Sequence, residues 1–226
     1  MVPYLQLALW KKAVFETPPT ARIRLSCPLL AGGPTVTNLL QRTWRTQVCP
    51  RLRYQSKVIE RRNFTTRHDH DRAIHDAIAS SSADYVFLAG YMAILGADFT
   101  TAFAGRLINI HPSLLPDFKG LDTHQRAIEA QAKQHGATVH LVTAELDDGP
   151  IILQAQLSIL PEDDADRLAA RVLQLEHRLY PFVLKCLCEG YLTLFTDRVT
   201  WHNPDHALQS ASADSRRDLA KALKWP

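Results

Sequence analysis

The sequence predicts an α/β fold in which helices flank a mostly parallel β-sheet. Short, continuous apolar runs, of the kind that parallel strands bury on both faces, alternate with longer segments of helical periodicity. This alternation is typical of a parallel sheet with crossover helices. The chain has 226 residues, of which 46% are hydrophobic and 22% charged, which suits one large or two small globular domains.

The elements can be predicted in order from about residue 54 onward. We predict strands at 57–59, 85–89, 107–110 and 138–142, an edge strand at 151–160, and helices at 67–79, 94–103, 123–134 and 164–188. Residues 1–53 are weakly patterned, with a candidate helix at 4–14 and a candidate strand at 21–25, and the segment after Asp197 is polar and expected to be peripheral. We therefore divide the chain into a divergent N-terminal region (1–53), a core (54–195) and a C-terminal tail (196–226).

Composition and charge exclude several classes of protein. Residues 1–62 contain eleven basic and two acidic residues, but no repeated aromatic stacking partner accompanies them, so we expect no nucleic-acid binding. The sequence has no apolar run of 18 residues, and Lys11 and Lys12 follow the apolar start where a secretory signal would place them before it. Four cysteines without a C-x-x-C pair do not indicate a disulfide framework. We expect a reduced, cytoplasmic protein with no membrane contact.

Two local patterns are weaker candidates for binding sites. The histidines of the 68–75 segment have the wrong helical spacing for a metal site, so we interpret the segment as a solvated helix face and expect no metal. Gly32 and Gly33 precede Pro34, which lacks the N–H that a phosphate-binding loop needs, and a plain turn is the preferred interpretation.

The best candidates for catalytic residues lie at the end of the predicted strand at 107–110. Asn109 and His111 lie on the same side of this strand, while Ile110 faces the other way. Ligands of open parallel sheets bind at the carboxyl ends of the strands. An Asp of the acidic turn at 145–150 can reach His111, orient it and favour its charged form. His140 is a third candidate, with a hydrogen-bonded core histidine as the alternative interpretation.

Several segments, in order and at family-like spacing, resemble phosphoribosylglycinamide formyltransferases, a folate-dependent family of purine biosynthesis. The resemblance covers roughly residues 54–195, and it is carried by Leu88–Leu95 (LAGYMAIL), Arg106–Pro116 (RLINIHPSLLP), Gly120–His124 (GLDTH), His135–His140 (HGATVH), Glu145–Ile151 (ELDDGPI) and Glu176–Pro181 (EHRLYP). It implies a Rossmann-like, formyltransferase-type fold. It also implies an enzyme that transfers the formyl group of 10-formyltetrahydrofolate to the amine of phosphoribosylglycinamide.

The resemblance also implies roles for individual residues. The catalytic trio falls on Asn109, His111 and Asp147, with His140 in support; the folate contacts fall on Arg67, Met92, Ala93, Ile94, Leu95 and Asn109, and the ribotide contact falls on Glu176. The trio is shared with methionyl-tRNA formyltransferase and formyltetrahydrofolate deformylase, so another formyltransferase or a hydrolase remains an alternative. A catalytically silent folate-binding module is the alternative from a different class.

The N-terminal region departs from the family pattern. The family begins with a strand and a glycine-rich G-x-G-S-N loop that holds the substrate phosphate through backbone N–H groups, and the sequence contains no such loop. We expect residues 1–53 to be truncated or partly scrambled, for example by a displaced reading frame. The expected consequences are weak ribotide binding or low stability, with folate binding retained. A monomer or weak homodimer is expected.

Overall fold

The computed structural model describes residues 59, 61–81, 83–88, 95–211 and 213–226. Within these ranges, a single 3-10 turn (Arg61–Asn63) precedes α-helices and β-strands that alternate as far as the third strand; after it, strands and helices also follow one another directly. The strands are β1 (Val86–Leu88), β2 (Leu107–His111), β3 (Gln134–Leu141), β4 (Ile151–Ser158), β5 (Leu192–Leu194), β6 (Val199–Trp201) and β7 (Leu223–Lys224). The helices are α1 (Arg67–Ser80), α2 (Ala97–Ala102), α3 (Thr123–Glu129), α4 (Ala165–Cys188), α5 (Pro204–Gln209) and α6 (Ala213–Ala222).

The main sheet has the strand order β1-β2-β3-β4-β7, and β5 pairs with β6 in a separate hairpin. Strands β1 and β2 are parallel, whereas β2–β3, β3–β4 and β4–β7 are antiparallel, so the described part of the sheet is mixed. The β3–β4 pair is antiparallel because a loop without a crossover helix joins the two strands. The α/β sheet flanked by helices is confirmed. The strand predicted at 21–25 and most of that at 57–59 lie outside the described residues.

The two principal helices begin where the sequence predicts. The Thr66 side chain accepts a hydrogen bond from the Asp69 N–H at the start of α1, and Asp164 accepts one from the Arg167 N–H at the start of α4. Such caps satisfy N–H groups that have no partner within the helix. The predicted helices at 67–79 and 164–188 are confirmed.

The helix predicted at 123–134 is too long. Helix α3 ends at Glu129, Gln131 adopts a left-handed backbone with a φ of 51°, and the Ala132 N–H returns to the Ala127 carbonyl oxygen at 3.0 Å. Because the helix ends at this turn, the following residues can adopt an extended conformation, and β3 begins at Gln134 instead of residue 138. Helix-forming residues continue past the turn in the sequence, and only the return of the chain to the sheet ends the helix.

Two hydrophobic clusters cover the two faces of the sheet. The larger one joins β2, β3 and β4 to α4 and the C-terminal helices, and the smaller one joins β1 and β2 to α1 and α2. Tyr180 of α4 places its hydroxyl 2.8 Å from the Leu88 carbonyl oxygen and 2.9 Å from that of Ile108. This contact fixes α4 against the two parallel strands.

The prediction that the segment after Asp197 is peripheral is wrong. Ala207 and Leu219 are fully buried in the larger cluster, and β7 pairs with Gln154 and Ala155 of β4. Strand β4 is therefore covered at its centre and is not a free edge strand there. Ala211 and Ala222 of this polar segment are buried as well, which residue composition does not reveal. The boundary at 195/196 stays a proposal.

No helix among the described residues is long and apolar enough to cross a membrane.

Candidate active site

The end of β2 brings two polar side chains to one face of the sheet. Asn109 is half-buried and His111 is 6% exposed, and they lie two residues apart, so both point away from α4. Leu88 of the parallel strand β1 pairs with Asn109 on one side, and His140 of β3 pairs with it on the other. The site thus lies where the sheet changes from parallel to antiparallel pairing.

A β-bulge shapes the strand next to Asn109. The register between β3 and β4 shifts between Val139 and His140, which leaves Ile152 as the extra residue of β4. Bulges bend a strand and redirect its side chains, and they are common beside active sites. The Trp201 indole N–H donates to the Ile152 carbonyl oxygen at 2.9 Å, so the C-terminal segment supports the bulge.

A close backbone approach brings the acidic turn to the end of β3. A Cβ atom at Gly149 would lie 1.9 Å from the Leu141 carbonyl oxygen, so only glycine permits this contact. The Leu141 N–H in turn donates to the Pro150 carbonyl oxygen at 2.9 Å. Asp147 lies two residues before Gly149, with a left-handed φ of 48°. Its side chain is only 10% exposed because the turn directs it inward.

Asp147 connects the histidines of the two strands. Its Oδ2 lies 3.4 Å from His111 Nδ1, and its Oδ1 lies 3.8 Å from His140 Nε2. The Gly120 N–H donates to the same Oδ2 at 2.9 Å. Asn109 Nδ2 lies 3.4 Å from His140 Nε2. The structure therefore brings the three predicted catalytic side chains and His140 into one contiguous polar group.

Both ring nitrogens of His111 face hydrogen-bond acceptors. Nδ1 faces the Asp147 carboxylate, and Nε2 lies 3.1 Å from the Phe118 carbonyl oxygen. Both partners only accept hydrogen bonds, so an imidazolium satisfies both contacts while a neutral ring satisfies one.

His140 is held in the neutral form, which orients Asn109. Burial lowers the pKa of His140, although the Leu141 carbonyl oxygen and Asp147 act in the opposite direction. His140 Nδ1 lies 2.9 Å from the Leu141 carbonyl oxygen, so this nitrogen carries the proton and donates. Nε2 is then an acceptor for one N–H of the Asn109 amide. Among the described residues, no further hydrogen bond of the Asn109 amide nitrogen is formed, so its second N–H is available to a ligand.

His124 and His135 form a second pair of histidines near His111. His124 Nδ1 is 3.1 Å from His135 Nε2, and burial lowers the pKa of both rings to about 4, with positive charge at His111 a smaller cause. Both rings are therefore neutral at pH 7. They contribute no cation that would compete with His111 for Asp147.

Sequence reasoning missed a buried network beneath the site. The Thr138 hydroxyl donates to the Ser113 carbonyl oxygen at 2.7 Å and accepts from the Leu115 N–H at 3.0 Å. Gln154 donates to the Leu115 carbonyl oxygen at 2.9 Å. These bonds hold the turn that follows His111. The signal available in the sequence was Gln154, an amide within the otherwise apolar run of residues 151–155.

The remaining predicted site residues lie on other elements. Arg67 is half-exposed at the start of α1, where its guanidinium Nε lies 3.7 Å from the Asp71 carboxylate. Leu95 is buried in the smaller hydrophobic cluster, and Glu176 is 7% exposed on α4. Residues 92–94 lie outside the described residues, as do Gly32, Gly33 and the rest of the N-terminal region.

The histidine-rich face of α1 is less solvated than predicted. His70 is 5% exposed and its Nε2 lies 3.2 Å from the Ile59 carbonyl oxygen, whereas His68 is exposed. Among the described residues, no group of three or more His, Cys, Asp or Glu side chains is placed to hold a metal ion.

Comparisons with known proteins identify chains of similar sequence and fold. The phosphoribosylglycinamide formyltransferase of Haemophilus influenzae is 49% identical over 137 residues, covering 61% of this chain and 65% of that protein. The Escherichia coli protein of the same name is 45% identical over 131 residues, covering 58% and 62%. The crystal structure of glycinamide ribonucleotide transformylase 1 from Symbiobacterium toebii superposes with a TM-score of 0.66 at 34% identity, covering 77% of this chain and 79% of that one.

The chain spans less than two thirds of the length of these two curated relatives. The family model described as formyl transferase matches residues 46–184, and this range contains all the residues of the polar group. Since the match extends over more than half of the 226 residues, the chain belongs to the formyl transferase family.

Proposed function

We propose that this protein transfers the formyl group of 10-formyltetrahydrofolate to the amine of phosphoribosylglycinamide. The observation that carries the proposal is the contiguous group of Asn109, His140, Asp147 and His111 at the carboxyl end of β2. This group combines an amide donor, an imidazolium and a carboxylate, which suits acid–base chemistry on a carbonyl carbon. The names of the two relatives supply the substrate class.

In the proposed reaction, the substrate amine attacks the formyl carbon and the carbonyl oxygen becomes an oxyanion. The second amide N–H of Asn109 would donate to this oxyanion. A protonated His111 would also donate to it once its Nε2 exchanges the Phe118 carbonyl oxygen for the substrate. Each such donor contributes on the order of 10²–10³ in rate when it is positioned before the reaction begins. The rigid strand end and the buried Thr138 network provide that positioning.

A proton must then move from the attacking amine to the folate nitrogen. The C–N bond to the folate nitrogen breaks, and the products are the formylated amine and tetrahydrofolate. His111 would donate a proton to the leaving nitrogen, and Asp147 would accept the proton of the attacking amine through water. General acid–base catalysis of this kind contributes about 10²–10⁴ in rate.

Further residues are proposed to bind the two substrates. Leu88 and Leu95 would line an apolar slot for the folate ring together with residues 92–94, and Arg67 would contact the acidic end of the folate. Glu176 would contact the hydroxyl groups of the ribotide, because a buried carboxylate is a strong hydrogen-bond acceptor.

The decisive experiment incubates the protein with 10-formyltetrahydrofolate, with and without phosphoribosylglycinamide, and follows the deformylated folate by its absorbance. Turnover that requires the ribotide supports the proposal. Turnover of equal rate without the ribotide indicates a hydrolase and contradicts the proposal, and absence of turnover in both reactions indicates a folate-binding module without catalysis. His111→Ala should abolish turnover; if it does not, the site is misplaced.

Calorimetry separates binding from chemistry. Titrations with a folate analogue and with the ribotide are run independently, because the sequence lacks the glycine-rich phosphate loop of the family. We expect micromolar or tighter binding of the folate analogue and weak binding of the ribotide. Ribotide affinity equal to that of the relatives would show that other residues hold the phosphate.

A further inference from the structure

The turn that carries Asp147 is tied to the loop 118–122 by two adjacent contacts. Gly120 donates its N–H to Asp147 Oδ2 at 2.9 Å, and the neighbouring residues Lys119 and Asp148 form an ion pair. The two contacts use consecutive residues on both segments. They therefore form a closed ring in which each contact restricts the geometry of the other.

The loop 118–122 also holds the opposite side of His111. The Phe118 carbonyl oxygen lies 3.1 Å from His111 Nε2, and Arg126 donates to the Lys119 carbonyl oxygen at 2.6 Å. Phe118 and Gly120 both have positive φ angles, of 54° and 80°. A displacement of this loop would move the partner of each ring nitrogen of His111: Phe118 directly, and Asp147 through Gly120.

The backbone of Asp147 is in the left-handed region, which residues other than glycine rarely adopt. Contacts from the neighbouring loop 118–122 therefore help to hold this conformation. Asp148 follows Asp147 directly and points outward, with a side chain that is 57% exposed, while the Lys119 side chain is 34% exposed. The pair lies outside the polar group, since no hydrogen bond or ion pair joins the Lys119 or Asp148 side chain to it among the described residues. Its effect must therefore pass through Asp147 and Gly120.

We propose that the Lys119–Asp148 ion pair is a positioning element that holds Asp147 and the loop 118–122 in place against His111. Its catalytic consequence rests on the proposed function. A partly exposed ion pair is a weak contact, so its removal should lower kcat about two- to fivefold and no more. The KM values and the melting temperature should stay unchanged, because the pair touches neither substrate nor core.

The kinetic test is a double-mutant cycle of Lys119→Met and Asp148→Asn. Each single variant should lose the same two- to fivefold in kcat, and the double variant should lose no more than either, because each change already removes the pair. Lys119→Arg should restore the wild-type kcat. The difference between wild type and K119M should shrink in about 1 M salt, where the Debye length is about 3 Å.

A second measurement is independent of activity. Amide hydrogen exchange of Gly120, followed by NMR, should accelerate about two- to fivefold in K119M and D148N, because the N–H···Asp147 bond opens more often. Arg198→Met is the matched control, since Arg198 pairs with Asp197 at 3.4 Å in the exposed β5–β6 turn. This control should change neither kcat nor Gly120 exchange.

The outcomes separate the two proposals. Unchanged kcat and unchanged Gly120 exchange in K119M would overturn the positioning role, as would additive losses in the double variant. If the wild-type protein transfers no formyl group, the proposed function fails, and the Gly120 exchange rates alone decide whether the pair restrains the loop.

Discussion

Replacement of Asp147 by Asn tests the electrostatic core of the site. Asparagine has the shape of aspartate and can still accept the Gly120 N–H, but it lacks the charge that lies 3.4 Å from His111 Nδ1. Coulomb's law for two unit charges at this distance gives about 1 kcal/mol at the dielectric constant of water and about 5 kcal/mol at an effective value of 20. The two side chains are only 8% and 10% exposed, so water screens this contact weakly, and the two values bound its strength.

The proton transfers that this carboxylate would assist contribute about 10²–10⁴ in rate, so D147N should lower kcat by about 10² or more. Steady-state formyl transfer is measured at saturating concentrations of both substrates, and thermal unfolding verifies that the variant folds. Asp197→Asn is the control, because Asp197 is an exposed carboxylate in the β5–β6 turn. A folded D147N protein with a kcat within about threefold of wild type would refute the role of the carboxylate.

Three further predictions concern stability. Gly136→Ala should cost about 3 kcal/mol or more of unfolding free energy, because a Cβ would lie 2.0 Å from the Ala155 carbonyl oxygen across the β3–β4 pair. Trp201→Phe should cost about 1–2 kcal/mol, since the Ile152 carbonyl oxygen at the bulge loses its donor. His135 has a pKa near 4 in the fold, below its ordinary value of 6.5, so the unfolded chain binds the extra proton between these pH values. Stability should therefore fall as the pH decreases from 6.5 to 4, and His135→Gln should reduce that slope by up to about 1.4 kcal/mol per pH unit.

Urea unfolding measures all three, at pH 7 for the first two and at several values between pH 7 and 4 for the third. Gly96→Ala is the control for G136A, because a Cβ at Gly96 meets nothing within 4 Å. Equal stability of G136A and G96A would contradict the close approach of β3 and β4. An unchanged pH slope in H135Q would show that His135 takes up its proton equally in the folded and unfolded chains.

The resemblance to the formyltransferases identified the candidate site because its motifs lie at strand ends and turns. Side chains alternate along a strand, so the residue order of β2 alone predicts Asn109 and His111 on one side, and they lie there in the fold. The assignment of catalytic and binding roles to these residues stays a prediction. The division of the chain into three regions also stays a prediction, since its first region lies outside the described residues.

The sequence predicted α1, α4 and β2 well, because caps and hydrophobic periodicity are local properties that a short window contains. It failed at α3 and in the C-terminal segment. In both places the outcome depends on contacts with distant residues, namely the return of residues 130–133 to the sheet and the burial of Leu219 against β4 and α4.

From the sequence alone, the acidic turn at 145–150 offered three carboxylates, and spacing could not show from the residues which one faces inward. The tertiary structure turns Asp147 toward His111 and leaves Glu145 and Asp148 exposed. The reason is the approach of Gly149 to Leu141, which sets the direction of the whole turn. Element type and the order of the chemical groups were thus determined by local pattern. The meeting of an amide, two imidazoles and a carboxylate depended on strand register, a bulge and one glycine contact, which only the folded chain provides.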